Sequence, residues 1–477
     1  MVQPLDLPRN EAGIAAAVAV LKQRFGDRFH TSDAMRAQHA HTTTWIKPQP
    51  PDAVVFAEST AEVADIVRVC ASHRVPVIPF GIGSSLEGHV NAPAGGICID
   101  TSMMNRILAI HPEDLDCVVQ PGVSRAQLNT ELRTTGLFFP IDPGANATIG
   151  GMAATRASGT NAVRYGTMKE NVLALEVVMA QGQVIRTAAR ARKSSAGYDL
   201  TRLILGSEGS LGVITEITLR LQGIPEAISA ARCSFPSITA ACQAVIEVVQ
   251  YGIAVARIEL LDALQVQACN AYSHLDLPET PLLLLEFHGS PAAVAAQAEA
   301  FGAIAADNGG DNFTWAGQAE ERNKLWQARH DAYWAGLQLR PGAQGIATDV
   351  CVPISRLAEC VGAAQERLAQ MNLLAPVVGH VGDGNFHTLL LIDMQDNEEI
   401  ARAEAFVGWL NDLAIAMEGT CTGEHGIGQG KQPWLERELG GAVEVMATIK
   451  QALDPANILN PGKIFAQRGC HSGEGCQ

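Results

Sequence analysis

The feature that most constrains the fold of this chain is an alternation of apolar and amphipathic runs across residues 53–80. Residues 53–57 and 75–80 have the apolar, β-branched composition of strands, and residues 60–73 between them have the period of a helix. The apolar side chains of that helix share one face: Val63, Ile66, Val67 and Cys70. Neighbouring parallel strands must be joined by a crossover connection, which is usually a helix. The segment therefore predicts a β-α-β unit with parallel strands.

A glycine-rich loop follows the second strand directly, with the sequence Gly81-Ile82-Gly83-Ser84-Ser85-Leu86-Glu87-Gly88. Glycines in this position allow backbone N–H groups to approach phosphate oxygens. Leu86 stands where the dinucleotide fingerprint needs its third glycine, and no Gly-Lys-Ser/Thr follows. The loop therefore predicts a phosphate contact, but it excludes both the nicotinamide-type Rossmann loop and the P-loop.

A second stretch, residues 141–166, is rich in small side chains, from Ile141-Asp-Pro-Gly-Ala-Asn-Ala-Thr-Ile-Gly-Gly to Ser158-Gly-Thr-Asn-Ala-Val-Arg-Tyr-Gly. Ordering so much glycine costs backbone entropy. Loops of this length are uncommon unless they are functional. A large cofactor lying against the backbone explains the composition better than the alternative, an irregular surface loop.

Length and composition limit the class of protein. The 477 residues are enough for two or more domains, and a content of 47% hydrophobic and 18% charged residues is typical of a soluble globular protein. The net charge of −16 argues against nucleic acid and anionic membrane surfaces as partners. No apolar run reaches the roughly 18 residues of a transmembrane segment.

The cysteines and the N-terminal residues suggest a compartment. Eleven cysteines are scattered without a Cys-x-x-Cys pair, which is typical of reduced thiols. Residues 1–24 contain no apolar signal-peptide core. We expect a cytoplasmic protein, either free or peripheral to a membrane.

From about residue 223 the pattern changes to a new series of strands, helices and hairpins. This series predicts an antiparallel sheet covered on one face by helices, which is an α+β domain. One long helix is predicted over residues 318–339, and the last over residues 442–453.

One hairpin of this series, residues 379–387, has the sequence Gly-His-Val-Gly-Asp-Gly-Asn-Phe-His. If Asp383 and Gly384 form a two-residue loop, His380 lies opposite His387 on one face of the hairpin. Side chains so placed have Cβ atoms about 4.5–5.5 Å apart, and two imidazoles can then bind one metal ion. The alternative is a hairpin that carries two surface histidines by chance.

A third ligand is needed, and the segment Thr422-Gly-Glu-His-Gly-Ile-Gly428 supplies a candidate. Glu424 together with His380 and His387 forms a two-histidine, one-carboxylate set, which suits Zn²⁺, Mn²⁺ or Fe²⁺ and leaves positions open for a substrate. His425 lies beside this set and is available as a base. The alternatives are a solvated acid for Glu424 and a helix-capping role for His425. The absence of His-Glu-x-x-His excludes a zincin protease.

Taken together, these motifs resemble the FAD-linked D-2-hydroxyacid dehydrogenases of the vanillyl-alcohol-oxidase/PCMH superfamily. The resemblance is strongest to the D-lactate dehydrogenase (cytochrome) branch, and looser to glycolate oxidase catalytic subunits and D-2-hydroxyglutarate dehydrogenases. The motifs that carry it are residues 79–88, Asp142-Pro-Gly-Ala, residues 157–166, residues 206–215, Leu325-Trp-Gln-Ala-Arg-His, residues 348–356, residues 379–387, Gly423-Glu-His-Gly and Asn460-Pro-Gly-Lys.

The resemblance implies a fold and a domain order. Residues 1–222 are expected to form a PCMH-type FAD-binding domain with two α+β subdomains, and residues 223–425 an antiparallel-sheet cap that holds substrate and metal. Residues 426–477 are expected to return to the FAD domain and to end in a disordered tail.

The resemblance also implies site residues. The metal ligands, zinc or manganese being expected, fall on His380, His387 and Glu424; the base falls on His425 and the carboxylate-binding arginine on Arg329. The loop has no histidine at the position of covalent attachment, so FAD is expected to be non-covalent. The cofactor-binding positions are Pro79, Gly81, Ile82, Gly83, Ser84, Ser85, Leu86, Pro143, Gly144, Thr148, Gly150, Gly151, Ser158, Gly159, Glu208, Gly212, Val213, Ile214 and Asn460.

The implied activity is oxidation of a small D-2-hydroxy acid, with electrons passing from FAD to a cytochrome, a quinone or an electron-transfer flavoprotein; a homodimer is compatible with it. Thr348 and the apolar residues 388–391 favour a monocarboxylate such as lactate over glycolate or 2-hydroxyglutarate. Arg156 and His89 depart from the family pattern, which has glycines there. Without the resemblance, Arg329 would be read as a helix-surface ion pair. The contrasting functions are a non-redox transferase of the ether-lipid synthase type and a non-enzymatic flavin-binding subunit.

Overall fold

The computed structural model describes residues 7–316 and 319–465. The chain up to residue 223, here called the N-terminal half, contains a four-stranded and a five-stranded sheet with separate cores, and one small two-stranded sheet. Residues 224–465 are here called the C-terminal half; one larger sheet forms most of it, and its last residues, including Ile449, Leu453, Ile458 and Leu459, pack on the cores of the N-terminal half. The tail that was expected to be disordered, residues 468–477, lies outside the described residues.

The first sheet contains the predicted β-α-β unit. Its elements are α1 (Glu11–Phe25), β1 (Phe29–His30), α2 (Asp33–Gln38), β2 (Ala53–Phe56), α3 (Thr60–His73), β3 (Val77–Phe80) and β4 (Ile97–Asp100). The strand order is β1-β2-β4-β3, and β2 and β3 both pair in parallel with β4 between them. Ser59 caps α3, and its predicted apolar face is buried. The prediction of parallel strands is confirmed.

The second sheet is antiparallel, with the order β5-β6-β10-β8-β9. The elements of this part are β5 (Ile107–His111), β6 (Asp116–Val119), α4 (Arg125–Leu132), β7 (Leu137–Phe138), α5 (Ile149–Thr155), α6 (Ala162–Tyr165), α7 (Met168–Asn171), β8 (Val172–Val178), β9 (Val184–Arg186), α8 (Leu200–Ile204), β10 (Val213–Arg220) and β11 (Gln222–Gly223). The stretch rich in small residues forms α5, α6 and the segments beside them.

The large sheet of the C-terminal half is antiparallel throughout, with the order β15-β12-β14-β13-β18-β19-β16 and β17 paired to β19. Its strands are β12 (Ala227–Ser234), β13 (Val255–Leu261), β14 (Leu282–Gly289), β15 (Asp311–Ala316), β16 (Gln344–Ala347), β17 (Val350–Cys351), β18 (Val377–Gly379) and β19 (Asn385–Ile392). The helices are α9 (Ile238–Gln250), α10 (Ala263–Ser273), α11 (Pro291–Asp307), α12 (Ala319–His330), α13 (Ala332–Gln338), α14 (Leu357–Gln370), α15 (Asn397–Ala416), α16 (Gln432–Leu439) and α17 (Gly441–Leu453).

Helices cover more of this sheet than the sequence predicted. Helices α9, α11, α14 and α15 bury the apolar side chains of one face. The opposite face packs part of its surface against α10, α12 and α13, and the rest is polar and faces the N-terminal half. The long helix predicted over 318–339 is interrupted at Asp331, between α12 and α13.

Polar side chains join the two halves across this interface. Arg257 of β13 donates to Asn161 at 2.9 Å and lies 3.1 Å from Asp142, both in the N-terminal half. The hydroxyl of Tyr165 lies 2.7 Å from Nδ1 of His288, on β14. Because these groups are buried or nearly so, their hydrogen bonds fix how the halves dock.

Replacing Tyr165 with phenylalanine is expected to lower the midpoint of thermal unfolding by about 1–3 °C, because one partly buried hydrogen bond between the halves is lost. Differential scanning calorimetry measures the midpoint. Tyr198→Phe is the matched control, because that side chain is 95% exposed. Equal midpoints for the Tyr165 variant and the wild type would contradict the prediction.

The C-terminal strip, residues 454–465, packs on the first sheet. Leu459 forms a parallel bridge with Val77, and Ile458 and Leu459 are buried in the core of that sheet. Lys450 of α17 donates to the carbonyl oxygen of Ser210 at 2.8 Å. Among the described residues, no helix has both the length and the apolar character needed to cross a bilayer.

Candidate active site

The hairpin that carries the two predicted histidine ligands has a wider loop than the sequence suggested. Val378, not His380, pairs with His387, so the predicted register is wrong by two residues. Within the loop, the N–H groups of Asp383 and Gly384 donate to the carbonyl oxygens of His380 and Val381 at 3.1 and 3.2 Å. Gly384 has φ +79°, and its carbonyl oxygen also accepts from Val352 N–H at 3.1 Å; a Cβ on Gly384 would overlap the Val352 carbonyl oxygen. The loop is therefore held both by its own hydrogen bonds and by packing of its tip against the segment after β17.

Despite this register, the three predicted metal ligands converge. Nε2 of His380 and Nε2 of His387 each lie 3.4 Å from Oε1 of Glu424, and all three side chains are largely buried. Nδ1 of His387 lies 2.8 Å from the carbonyl oxygen of Thr348, and Nδ1 of His380 lies 2.7 Å from Glu259. Since Nδ1 donates in both contacts, each ring turns Nε2 toward the carboxylate.

The position between these side chains favours positive charge. Burial alone would lower the pKa of His380, but the charges of Glu259 and Glu424 outweigh it and raise that pKa well above its ordinary value. Metal–ligand bonds of 2.0–2.2 Å at tetrahedral angles separate the ligand atoms by about 3.3–3.6 Å. The distances of 3.4 Å from Oε1 to the two Nε2 atoms match that separation. The donor set therefore fits a divalent ion such as zinc or manganese.

Asp349 organises the loop that carries Glu424 and His425. Its Oδ2 accepts from the Thr422 hydroxyl at 2.8 Å and from the backbone N–H groups of Glu424 and His425 at 2.9 and 2.8 Å. Its Oδ1 accepts from Asn385 at 2.9 Å. Sequence reasoning gave Asp349 no role, although its position within the family motif at residues 348–356 was a signal.

The charge of Asp349 is maintained by its neighbours. Burial would raise the pKa of Asp349, but His425, Lys431 and His387 together lower it below its usual range. The carboxylate is therefore ionised and can hold several N–H donors at once.

Asp349→Asn is expected to reduce turnover about 100-fold, because an amide nitrogen in place of one oxygen faces N–H donors and displaces the loop. Steady-state kinetics on the flavin-loaded variant measures the effect. Asp262→Asn is a control, because Asp262 is also buried and also accepts a backbone N–H, from Gln265 at 2.8 Å, but contacts no predicted site residue. Wild-type turnover in Asp349→Asn would contradict the role of this carboxylate.

His425, the predicted base, lies next to the ligand set. Its ring stacks on that of His387 with centroids 5.2 Å apart, and its Nε2 lies 3.9 Å from Oε1 of Glu424. Burial lowers the pKa of His425 to about 4, against the effect of Asp349, whose Oδ2 is 3.9 Å from Nδ1. A neutral imidazole in this position can accept a proton.

The predicted carboxylate-binding arginine has a partner that the sequence did not reveal. Nη2 and Nε of Arg329 lie 2.6 and 2.8 Å from Oε2 of Glu259, which is completely buried. The alternative interpretation of Arg329 was a helix-surface ion pair. The structure agrees with the ion pair but not with the surface position, because the Arg329 side chain is only 12% exposed. The sequence feature that could have indicated a role for Glu259 was its position as an acidic residue within the mostly apolar strand β13.

The predicted cofactor residues lie on segments that meet beside the first two sheets. The loop after β3 approaches the start of α5 so closely that a Cβ on Gly81 would overlap Oγ1 of Thr148. The side-chain oxygens of Ser85 and Thr148 are buried and have no hydrogen-bond partner among the described residues. Unpaired buried hydroxyls on these two segments fit contacts to a large polar cofactor.

Other predicted cofactor positions bond within the protein. Glu208 accepts the N–H groups of Ile427 and Gly428 at 2.7 and 2.9 Å, and Asn460 donates to the Glu208 carbonyl at 2.7 Å. Gly212 precedes β10, whose first residues are Val213 and Ile214; both are buried. Of the remaining predicted positions, one is in β3 (Pro79), four lie between β3 and β4 (Ile82, Gly83, Ser84, Leu86), and six lie between β7 and α6 (Pro143, Gly144, Gly150, Gly151, Ser158, Gly159).

The two departures from the family pattern have local partners. His89 is buried, with Nε2 3.3 Å from Oε1 of Glu208. Arg156 ends α5 with φ +56°, and its guanidinium donates to the Leu205 carbonyl at 2.9 Å. Arg156 also lines a cavity of about 380 Å³ that extends to Glu208 and Glu424.

Comparison with known proteins gives the family. Residues 51–188 match a family described as "FAD binding domain", and residues 224–464 match "FAD linked oxidases, C-terminal domain". The chain is 48% identical over 459 residues to a probable mitochondrial D-lactate dehydrogenase of Danio rerio, covering 95% of this chain and 92% of the relative. The chain belongs to the family of FAD-linked oxidases.

Two further comparisons place this FAD-linked oxidase. It is 48% identical over 421 residues to a mitochondrial D-lactate dehydrogenase [cytochrome] of Arabidopsis thaliana, covering 88% of this chain and 74% of the relative. The structure of 4-ethylphenol oxidase from Gulosibacter chungangensis superposes with a TM-score of 0.79 at 16% identity, over 97% of this chain and 98% of that one. That likeness confirms the predicted fold of the vanillyl-alcohol-oxidase/PCMH type.

The two matched regions divide the site of this FAD-linked oxidase. The glycine loop and the stretch rich in small residues lie in the region matched to the FAD-binding domain, which indicates FAD as the cofactor. His380, His387, Glu424 and His425 lie in the region matched to the C-terminal domain.

Proposed function

We propose that this FAD-linked oxidase oxidises a small D-2-hydroxy acid, with D-lactate as the foremost candidate, to the corresponding 2-oxo acid. The observation that carries the proposal is the convergence of His380, His387 and Glu424 beside a neutral His425. The two relatives at 48% identity, both named as D-lactate dehydrogenases, support the choice of substrate.

The chemistry requires a proton to leave the hydroxyl and a hydride to leave C2. His380, His387 and Glu424 would hold a divalent ion, which would act as a Lewis acid and make the hydroxyl more acidic. FAD, when bound, supplies the acceptor for the hydride.

The side chains around this centre perform the remaining tasks. His425 accepts the hydroxyl proton at Nε2, and the carboxylate of Asp349, 3.9 Å from Nδ1, stabilises the positive charge that then forms on the ring. Arg329 pairs with the carboxylate of the substrate and orients it. Burial of these side chains keeps water from the reacting groups.

We propose an external carrier as the acceptor of the electrons from FAD. The Arabidopsis relative carries "cytochrome" in its name. A net charge of −16 is compatible with docking of a basic carrier protein.

An anaerobic titration with paired D- and L-2-hydroxy acids, followed by flavin absorbance after addition of Zn²⁺ or Mn²⁺, tests the proposal. We expect D-lactate to bleach the flavin and L-lactate to leave it oxidised. Glycolate and D-2-hydroxyglutarate define the size of the acid that the site accepts. Failure of every D-2-hydroxy acid to bleach the flavin in metal-replete protein would overturn the proposal.

Non-covalent FAD gives a separate prediction. Precipitation of the protein with acid is expected to leave the flavin in the supernatant, because no covalent bond retains it in the unfolded chain. The absorbance spectra of supernatant and pellet measure the distribution. Yellow colour that stays in the washed pellet would contradict a non-covalent cofactor.

A further inference from the structure

Glu259 is a completely buried carboxylate that contacts two predicted site residues at once. Its Oε1 lies 2.7 Å from Nδ1 of His380, and its Oε2 lies 2.6 Å from Nη2 of Arg329. On β13 it stands between Ile258 and Leu260, which belong to the apolar core on the other face of the sheet. The strand is part of the packed sheet, so the position of the carboxylate is fixed.

The carboxylate of Glu259 is balanced by a permanent cation and an N–H donor, because Arg329 lies 2.6 Å from Oε2 and Nδ1 of His380 lies 2.7 Å from Oε1. A buried ion needs such partners, since removing one leaves an uncompensated charge. A carboxylate on Nδ1 of a ligand histidine also makes its Nε2 more basic and fixes the ring.

We infer that Glu259 is a positioning residue that couples the metal-binding side of the site to its carboxylate-binding side. One oxygen fixes the His380 ring with Nε2 toward Glu424, and the other fixes the guanidinium of Arg329. The inference rests on the proposed function for the meaning of the Arg329 contact, whereas the His380 contact concerns metal binding alone.

The neighbouring strand offers a matched control. Glu286 of β14 is also buried, lies 2.7 Å from Nε2 of His288 and 3.7 Å from Nε of Arg257, and is paired in register with Arg257. It therefore has the same two kinds of partner on the same face of the sheet. Neither His288 nor Arg257 is a predicted ligand, so Glu286 reproduces the burial and charge of Glu259 without its contacts to the site.

Calorimetric titration of Zn²⁺ alone into the metal-stripped flavoprotein tests the first half of the inference. Glu259→Gln is expected to bind Zn²⁺ about 10–100-fold more weakly than wild type, because the amide cannot accept from both partners. Glu286→Gln is expected to match wild type within about twofold. Unchanged affinity in Glu259→Gln, equal weakening in Glu286→Gln, or no Zn²⁺ binding by the wild type would each overturn the inference.

The second half is measured with pyruvate, the 2-oxo acid that corresponds to lactate, at saturating Zn²⁺. Its binding is followed by the change in flavin absorbance, and we expect about tenfold weaker binding or more in Glu259→Gln, because Arg329 is no longer held in place. Wild-type affinity for pyruvate in this variant would overturn the coupling.

Two features keep the test decisive. If Glu259→Gln does not fold, Glu259→Asp replaces it in the test. This variant retains the charge but is one methylene too short to reach both partners, so it too is expected to weaken Zn²⁺ binding. Wild-type affinity for Zn²⁺ in Glu259→Asp would overturn the inference. If the flavin is reduced by no D-2-hydroxy acid, the proposed function fails, yet the comparison of Zn²⁺ affinities still decides whether Glu259 positions His380.

Discussion

Replacing His387 with alanine is expected to abolish metal binding and to lower turnover of D-lactate at least about 1,000-fold, a loss that corresponds to roughly 4 kcal/mol of transition-state stabilisation. His387 is the informative position because it belongs to both groups of side chains that can hold an ion: His380, His387 and Glu424 in one, and Asp349, His387 and His425 in the other. Its removal disables either arrangement.

Metal analysis of the purified variant, together with steady-state kinetics, measures both effects. His380→Ala separates the two groups, since it is expected to lose the ion if His380, His387 and Glu424 bind it, and to retain it if the other group does. His73→Ala, at the end of α3, is a control that is expected to keep metal and turnover. An Ala variant of His387 that retained both would refute the ligand assignment.

Replacing Arg329 with methionine is expected to raise the KM for D-lactate about 100- to 1,000-fold. Removing one partner of a buried, hydrogen-bonded charge pair between a protein and its ligand weakens binding by about 2–5 kcal/mol. Glu259 would in addition keep only His380 beside it. A change of this kind falls on KM if Arg329 binds the substrate carboxylate before and during the reaction. Retention of a low KM would remove that role.

Arg329→Lys is the graded companion of this variant. Lysine keeps the charge but not the planar set of donors, so it is expected to give a KM between those of wild type and Arg329→Met. Thermal unfolding of both variants shows whether the loss is confined to binding. Equal KM values for Lys and Met at this position would argue that charge is irrelevant there.

The sequence predicted the local parts of this fold well. The β-α-β unit rests on helical periodicity and a capping serine within one segment of chain, and the structure contains it with the predicted apolar face. The three ligand positions and His425 were predicted because they lie in two short motifs in which histidines and an acid are surrounded by glycines, a pattern that can be read directly from the sequence. Their convergence was expected from the resemblance and is present in the structure.

What the sequence could not predict depends on contacts between distant segments. The hairpin has a wider loop than the Asp-Gly pair predicts, and the tip of this loop bonds to Val352 of a distant segment. Glu259 looked like an interruption in an apolar strand, because its partners Arg329 and His380 are 70 and 121 residues away in the chain. Asp349 is a similar case, since the N–H groups it binds are 75 and 76 residues further on.

The loop that carries Glu424 and His425 is held at both ends by carboxylates of different origin. Asp349, in the C-terminal half, binds the N–H groups of residues 424 and 425, and Glu208, in the N-terminal half, binds those of residues 427 and 428. Domain exchange between relatives, as in chimaeric enzyme engineering, would separate these two anchors. The two halves of this enzyme therefore depend on each other. A C-terminal half joined to the N-terminal half of a relative would keep its ligand loop in place only if that N-terminal half has a carboxylate equivalent to Glu208.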